Sequence, residues 1–212
     1  MKNPQRQIIP LGVICLENID VYGFYGRYKY VRDAAWQTLI DSKVNSLPVP
    51  LMSICQDFGI TLLDNNRAHE LRPTESGISL KQNGKWYIIF DDTDTHGKQR
   101  FTVAHELGHI LMGHELKNGY YTRKENLNKP TDETEADMFA ARLLAPACVL
   151  WGIGATTAEQ IAQVCDISLT AATFRAERME LLRKRNKFLT SPLERQVYKQ
   201  FEDYIKNNRQ TP

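Results

Sequence analysis

The stretch RFTVAHELGHILMGH, residues 100–114, contains the pattern HELGH, which begins at His105. An α-helix turns by about 100° per residue, so side chains four positions apart lie on one face. If the stretch is helical, His105 and His109 point two imidazoles at a single metal ion. Glu106 then lies beside them, within reach of a metal-bound water. This is the HExxH arrangement of zinc peptidases, in which the histidines are ligands and the glutamate is the general base.

The residues around the motif predict the helix that it requires. Thr102 is a candidate N-cap and Gly113 a candidate stop signal. The alternative is an amphipathic helix whose histidines are merely solvated. The metal interpretation is favoured, because an apolar stripe recurs at helical spacing opposite the histidines. The stripe consists of Val103, Leu107, Ile110 and Leu111.

Composition places the chain among ordinary globular proteins. Its 212 residues, 42% hydrophobic and 25% charged, suffice for one substantial core or for one domain with a small appendage. The net charge of +2 argues against a protein that mainly binds nucleic acid, although a local basic patch is compatible with it. A dedicated nucleic-acid-binding protein is therefore disfavoured.

The cysteines and the N-terminal apolar run both indicate a soluble, cytoplasmic protein. Residues 8–16 are too few to span a bilayer, include a proline and lack a signal-peptide cleavage site. We therefore expect no membrane association. The four cysteines form no CxxC pair, which is typical of reduced, buried thiols rather than of disulfides or a cysteine zinc site. They are Cys15, Cys55, Cys148 and Cys165.

Apolar periodicity predicts two helices, a strand and a β-hairpin before the motif. The first helix runs from about Tyr30, and the second begins at the LPVP segment and ends near Gly59. A short strand at residues 60–63 follows, and two β-rich arms then flank Asn83-Gly84, a strong hairpin signal. The second arm, KWYIIF, is predicted to be an edge strand that holds a substrate in extended form.

A catalytic zinc site has three protein ligands, so the two histidines require a third. The later stretch TDETEADMFAARLLAP predicts a helix between two prolines. Glu133 and Asp137 lie four residues apart on one face of it. Glu133 could therefore bind the metal while Asp137 accepts a hydrogen bond from a liganding histidine. Glu135 is the alternative ligand, although Asp132 and Glu135 also form a capping-box-like pair at the helix start.

The remaining histidines are weaker candidates. His114 follows His109 by five residues, half a turn off the ligand face and beyond the predicted helix end. We expect it in a loop or in the substrate pocket. His69 and His96 are expected to be surface residues of loops.

The two stretches together resemble the ImmA/IrrE family of metallo-endopeptidases. RFTVAHELGH followed by ETEADMFAARLLAP is similar to the family's FTxAHExxH helix and its later helix, ExxA(N/D)xFAAxLLxP. The resemblance covers about residues 30–146, with Ala145 where Met is usual. It implies an α+β, zincin-like fold of the gluzincin type, with a small twisted sheet, an active-site helix pair and a C-terminal helical segment.

The resemblance also implies roles for individual residues. His105, His109 and Glu133 would bind one Zn²⁺. Glu106 would take a proton from the metal-bound water that attacks a peptide carbonyl. Asp137 stands where the family has Asn or Asp.

The implied function is a zinc endopeptidase that cleaves a DNA-binding repressor of the helix-turn-helix type, and so releases genes of a mobile element or a stress response. The alternatives are a non-catalytic regulator that binds a partner or DNA, and one component of a toxin–antitoxin-like pair. The intact Glu106 favours the enzyme, because a pure scaffold needs no base. Tyr120 and Tyr121, in the polar loop after the motif, are candidate oxyanion donors.

The sequence suggests three regions. Residues 1–28 are an N-terminal extension of unclear role, whose Gly- and Tyr-rich end favours an extra strand and loop. Residues 29–150 form the zinc peptidase domain. Residues 151–212 form a C-terminal helical segment, helix-turn-helix-like and packed on the catalytic domain.

The C-terminal segment is locally basic, and direct DNA binding is one use for it. Residues 171–173, Ala-Ala-Thr, are poor base readers, so a helical cap on the catalytic domain is favoured. The tail from Ser191 to Pro212 is predicted to be one charged helix. The basic residues are Arg175, Arg178, Arg183, Lys184, Arg185 and Lys187.

Overall fold

Helices surround one small mixed sheet. The structure, a computed structural model, describes residues 21–114, 116–117, 120–121 and 132–209. Within that part the strands are β1 (Ile60–Asp64), β2 (Gly77–Gln82), β3 (Lys85–Phe90), β4 (Leu116–Lys117) and β5 (Tyr120–Tyr121). The helices are α1 (Val21–Asp41), α2 (Leu51–Asp57), α3 (Asn65–Ala68), α4 (His96–Leu111), α5 (Asp132–Leu144), α6 (Ala147–Ile153), α7 (Ala158–Cys165), α8 (Leu169–Lys184), α9 (Pro192–Gln200) and α10 (Glu202–Asn208). The α+β class is confirmed.

The sheet has the strand order β1-β3-β2-β5-β4. β1 pairs in parallel with β3, and β2 pairs antiparallel with β3 in the predicted hairpin. Asn83 and Gly84 both have positive φ, 51° and 77°, as a two-residue hairpin turn requires. β5 joins β2 through the single pair Leu80 and Tyr120.

The prediction that KWYIIF is an edge strand is wrong. β3 lies inside the sheet, with β1 on one side and β2 on the other. Ile88 and Ile89 of this strand are buried. A strand that is paired on both sides and covered by helices carries a nearly continuous apolar sequence, which accounts for this one. The hairpin signal in the sequence predicts only one of the two strands that pair with β3, namely β2.

The motif helix, α4, begins earlier than predicted and ends where predicted. Its N-cap is Thr95 rather than Thr102, and the backbone N–H groups of Lys98 and Gln99 donate to the Thr95 carbonyl. Thr102 is instead buried inside the helix. Polar residues in the first turns conceal the helical periodicity there. At the other end Gly113, with a φ of 69°, follows the last turn, and the predicted stop is confirmed.

α1 begins before the first predicted helix. The Tyr-rich stretch is helical from Val21 onward, so the expected strand and loop are wrong there. The helix runs across the expected division between residues 28 and 29. Val31, Ala35 and Leu39 are fully buried, as their helical spacing predicts.

The helices after α6 pack back on the earlier part of the chain. α9 lies against α1 and α6, and α10 against α6. The Gln200 side chain on α9 donates to the carbonyls of Leu39, at 2.7 Å, and Val44, at 2.6 Å. The single tail helix predicted from Ser191 is wrong, because α9 and α10 are divided at the fully buried Phe201.

The core contains the most apolar helical stretch and the described thiols. Asp132–Ile153 is long and apolar enough to cross a membrane, but 83% of its apolar window is buried inside the protein. Its burial in the core accounts for its hydrophobicity. Cys55, Cys148 and Cys165 are buried and unbonded, as predicted. Cys15 lies outside the described residues.

Candidate metal centre

α4 and α5 cross closely enough to bring their polar faces together. Gly108 of α4 makes this possible, because a Cβ there would lie 2.9 Å from Cδ1 of Phe139 on α5. Phe139 and Leu107 are fully buried at the contact. A side chain at Gly108 would force the helices apart. The glycine inside HELGH therefore determines how near α5 approaches.

Three side chains of these helices converge on one point. The Nε2 atoms of His105 and His109 lie 2.9 Å apart. Of the Glu133 carboxylate, Oε2 lies 3.6 Å from Nε2 of His105, and Oε1 lies 3.8 Å from Nε2 of His109. One ligand atom from each residue lies within 4.8 Å of the others. The structure thus brings together the three predicted ligands.

The donor set fits a zinc ion. Zinc–ligand bonds of about 2.0–2.2 Å in a tetrahedron place neighbouring ligand atoms about 3.3 Å apart, close to the separations in this site. Two imidazoles and one carboxylate are also a ligand set of catalytic zinc, which leaves the fourth position open. Within the described ranges no other group of three His, Cys, Asp or Glu residues meets the same distance criterion.

The structure separates the two candidate glutamates. Glu133 faces the histidine pair, whereas the buried Glu135 lies against His114. Two helical residues that are two positions apart point about 200° away from each other, so both cannot face one ion. Asp132 is the first described residue of α5, and the expected capping pair with Glu135 stays a prediction.

Asp137 contacts His105 on the side away from the ligand atom. Its Oδ1 lies 2.7 Å from Nδ1 of His105. A histidine that binds a metal through Nε2 carries its proton on Nδ1 and can donate it to a carboxylate, which holds the ring in place. Asp137 therefore lies where the sequence prediction requires it.

His114 contacts His109 in the corresponding way, which the sequence analysis missed. Nδ1 of His114 lies 2.9 Å from Nδ1 of His109, and its Nε2 lies 3.3 Å from Oε2 of Glu135. When His109 binds a metal through Nε2, its Nδ1–H donates to His114, whose Nε2–H then donates to Glu135. His114 lies in the connecting segment beyond α4, as expected, but its contact with His109 was not predicted.

The end of α4 explains where His114 lies. Gly113 adopts the left-handed conformation, and the N–H groups of Gly113 and His114 donate to the carbonyls of Ile110 and His109. These two bonds form a Schellman motif, which folds the chain back over the last helical turn. The sequence signal that could have predicted this contact is a glycine helix stop directly followed by a histidine.

Glu106 lies beside the three ligands in a buried position. Its residue exposure is 7%, and its Oε2 has no hydrogen-bond partner in the described part of the protein. Burial raises the pKa of this carboxyl above its usual value, while the nearby His105 and Ser79 oppose that rise. A carboxylate with a raised pKa and an oxygen without a partner is suited to accept a proton.

β2 forms the wall behind Glu106. A Cβ at Gly77 would clash with Cγ2 of Thr102 and lie 3.6 Å from Cγ of Glu106. Ser79, two residues further along the strand, is fully buried. Sequence analysis identified this strand only as a hairpin arm. The signal it did not use is a glycine in a strand, which marks a close approach of the backbone.

The two candidate ligand histidines influence each other's pKa. Burial lowers the pKa of His105, but Asp137 and Glu133 outweigh it and raise the pKa to about 10. Burial and the neighbouring His105 lower the pKa of His109 to about 2. The carboxylates beside His105 therefore favour a proton on that ring, whereas burial and the neighbouring His105 disfavour one on His109. Because zinc binds neutral imidazoles, its binding releases a proton held on His105.

The geometry is that of a metallopeptidase-like site. A model of the IrrE N-terminal-like domain, peptidase family M78, matches residues 55–177. This match covers more than half of the chain, which belongs to that family, and the resemblance to ImmA/IrrE proteins is confirmed. The matched region runs from α2 into α8, beyond the limit at residue 146 that the motifs indicated. A comparison with curated proteins found no match.

The other predicted site residues lie away from the three ligands. His69 is exposed. His96 is also exposed, but it begins α4 instead of lying in a loop, with Nε2 2.8 Å from Oδ2 of Asp166. The side chains of Tyr120 and Tyr121, the candidate oxyanion donors, lie outside what the structure describes.

Proposed function

We propose that this protein is a zinc-dependent endopeptidase with a zincin-like fold of the gluzincin type. One Zn²⁺ would be held by His105, His109 and Glu133, and Glu106 would be the catalytic base. The observation that carries the proposal is the convergence of three ligand atoms from two helices with a buried carboxylate directly beside them. Membership of the M78 family supports it independently.

The residues of the site have separate tasks in this reaction. When bound, zinc supplies a Lewis acid that lowers the pKa of water and polarises a peptide carbonyl. Glu106 accepts the proton of the attacking water at Oε2, the oxygen without a protein partner, and its raised pKa lets it pass that proton to the leaving amine. Asp137 and His114 hold the two imidazoles in their orientations.

We propose β2 as the strand that pairs with the substrate. β3 has partners on both sides, whereas β2, on its other side, pairs among the described residues only with β5 at Leu80. Gly77 and Ser79 of β2 lie nearest to Glu106. An extended peptide that pairs with this part of β2 would have its backbone beside the base.

The proposed substrate is a DNA-binding repressor of the helix-turn-helix type, cleaved in the cytoplasm. Its cleavage would release the repressed genes of a mobile element or of a stress response. The support is the resemblance of the two motif helices to the ImmA/IrrE family. The three unbonded thiols agree with a reducing compartment.

The Glu106→Gln variant tests the catalytic role of Glu106. Purified proteins are analysed for metal content and then incubated with the repressor encoded by the neighbouring gene. Glu106→Gln should retain zinc, because Glu106 is not a ligand, and should cleave at least about 100-fold more slowly, because it lacks a base. Glu159→Gln, the same change at an exposed position of α7, should match the wild type.

Two outcomes would contradict the proposal. A wild-type protein that contains no transition metal, and takes up none when zinc is added, is not a zinc enzyme. Equal action of wild type and Glu106→Gln on the repressor would indicate the non-catalytic regulator instead.

A further inference from the structure

A cavity lies between α1, α5, α8 and α9, apart from the three candidate metal ligands. Its volume is about 310 Å³, the lower end of the range for small-molecule sites. Trp36 of α1 and Leu181 and Leu182 of α8 supply apolar wall. Six cationic side chains line the rest: Arg32, Arg142, Arg175, Arg178, Arg185 and Lys187.

The cavity contains far more positive than negative charge. Against six cations it has one carboxylate, that of Glu194. Glu194 Oε2 already accepts the Thr190 backbone N–H at 3.0 Å, just before α9. Among the described residues, only Arg32 of the six lies within ion-pair distance of a carboxylate, that of Asp33 outside the cavity. The excess is local, because the whole chain has a net charge of only +2.

One of these arginines, Arg142, is buried, and a second, Arg175, is partly buried. Arg142 is 9% exposed and donates from Nη1 to the Met138 carbonyl at 2.6 Å. Nε of Arg175 is buried and has no hydrogen-bond partner in the part of the chain described. Burial and the neighbouring Arg142 lower the pKa of Arg175 to about 10, which still leaves it charged at neutral pH. Buried charge without a partner destabilises the folded state, so a compensating anion would be bound favourably.

Tyr28 does not supply that anion. Its ring lies 4.4 Å from the Arg142 guanidinium and 5.2 Å from that of Arg178, which also donates to its hydroxyl at 2.5 Å. Burial raises the pKa of Tyr28, but the two arginines outweigh it and bring the pKa to about 8. The hydroxyl is therefore mostly neutral at pH 7, and among the described residues only the Glu194 carboxylate lines the cavity with these cations.

We propose that this cavity binds a small phosphorylated anion with at least two negative charges. Guanidinium groups bind phosphate oxygens through paired hydrogen bonds, and clusters of arginine are typical of phosphate recognition. The buried Arg142 and the partly buried Arg175 would contact the phosphate. The exposed Arg185 and Lys187 would attract it at the mouth of the cavity. A cavity of this size, enclosed between helices, has no room for a nucleic-acid duplex.

This position also changes the interpretation of the basic C-terminal segment. Arg175 and Arg178 of α8 line the cavity rather than an outer face. Arg183 donates to the Ala155 carbonyl at 2.7 Å, and Lys184 pairs with Glu180 at 2.6 Å. The basic residues are thus arranged around an interior site more than along a DNA-binding surface.

A titration at constant ionic strength tests the proposal on the full-length protein. Orthophosphate, pyrophosphate and ADP are added separately and followed by calorimetry and by thermal unfolding. One pyrophosphate should bind per chain, raise the Tm, and bind at least about tenfold more tightly than orthophosphate, because it reaches more guanidinium groups. Tighter binding of ADP than of pyrophosphate would show that the site recognises nucleotides. Equal affinities for the two would show that it recognises the pyrophosphate group itself.

Variants locate the binding. Arg175→Gln and Arg178→Gln should each weaken pyrophosphate binding by about tenfold or more. Arg183→Gln removes the same charge from the same helix without touching the cavity, and should leave the Kd within about twofold of the wild type. His105→Ala should also retain binding, which separates the cavity from phosphate bound to metal.

A measurement on the wild type tests the same proposal if the arginine variants do not fold. Arginines of the wild type are modified with phenylglyoxal and identified by mass spectrometry, with and without pyrophosphate. Pyrophosphate should protect Arg178 and Arg185 but leave Arg195, outside the cavity, as reactive as before. Absence of saturable binding, equal weakening by Arg183→Gln, or equal protection of all arginines would overturn the proposal.

Discussion

The two ends of α5 contribute to sites of opposite charge. Toward its N-terminus, Glu133 and Asp137 face the histidines of α4 and form a place for a cation. In its last turn Arg142 joins five other cations around a cavity that suits an anion. Nine residues separate Glu133 from Arg142, about 13 Å along the helix axis.

Helix electrostatics favours this polarity, because carboxylates stabilise a helix N-terminus and cations its C-terminus. The two ends differ in how their charges are balanced. At the metal end, each candidate ligand histidine already has its own support, Asp137 for His105 and the His114–Glu135 pair for His109. At the cavity end, only Arg32 of the six cations lies within ion-pair distance of a carboxylate among the residues that the structure describes. The first arrangement orients the candidate ligand rings before a metal binds. The second leaves an excess of positive charge that a bound anion can neutralise.

The largest expected effect is confined to the metal end. Glu133→Gln removes the charged third ligand, and we expect zinc affinity to fall by more than about 100-fold. Pyrophosphate affinity should not change, because the cavity is more than two helical turns away. Competition with a chromophoric chelator measures the first quantity and calorimetry the second. Parallel losses at both ends would show that the two sites are not independent.

A change between the helices should reduce stability itself. Gly108→Ala places a Cβ against Phe139, and we expect the free energy of unfolding to fall by about 1–3 kcal/mol. Gly26→Ala in α1 is the matched control, since its Cβ would meet no described atom within 4 Å. It should be neutral or stabilising by up to about 1 kcal/mol. Urea unfolding compares the two, and equal effects would contradict the close-contact explanation.

The support of His109 can be tested through His114. His114→Ala removes the group that accepts from Nδ1 of His109, and zinc affinity should fall by about 10- to 100-fold. His96→Ala removes an exposed histidine and should leave the affinity unchanged. An affinity that survives in His114→Ala would mean that this contact does not orient the ligand.

The smallest effect belongs to the cavity end and depends on pH. The folded-state pKa of Tyr28, about 8, lies below its ordinary value of 10.0, so the unfolded chain binds more protons between these pH values. Wild-type stability should therefore rise by up to about 2 kcal/mol relative to Tyr28→Phe from pH 8 to pH 10, with no difference in slope below pH 7. Urea unfolding at several pH values measures this. Tyr87→Phe, which does not line the cavity, should show the wild-type dependence.

Where the information is local, the sequence predicted the structure well. The hairpin turn at Asn83-Gly84 and the helix stop at Gly113 depend on backbone preferences of single residues, and both are as predicted. The spacing of His105 and His109 needs only a helix to place both rings on one face. The start of α4 was missed, because its first turns are polar and carry no apolar period.

Contacts between elements that are far apart in the sequence could not be predicted from it. β3 has a parallel partner, β1, that no turn connects to it directly, so its interior position could not be inferred from the hairpin. The contact of His114 with Glu135 joins a helix end to another helix. The need for a glycine at position 77 is apparent only from the structure, because the side chain that a Cβ there would meet, Thr102, belongs to α4.

The sequence by itself determined the chemical groups of the candidate metal centre and the two helices that carry them, because a helical repeat fixes which side chains share a face. Tertiary structure decided which glutamate faces the histidines, what supports each ring and which strand lies beside Glu106. It also turned Arg175 and Arg178 inward, toward Arg142 and Tyr28. The physical reason is that spacing predicts the shared face of one helix, while the approach of a second element depends on the packing of the whole core.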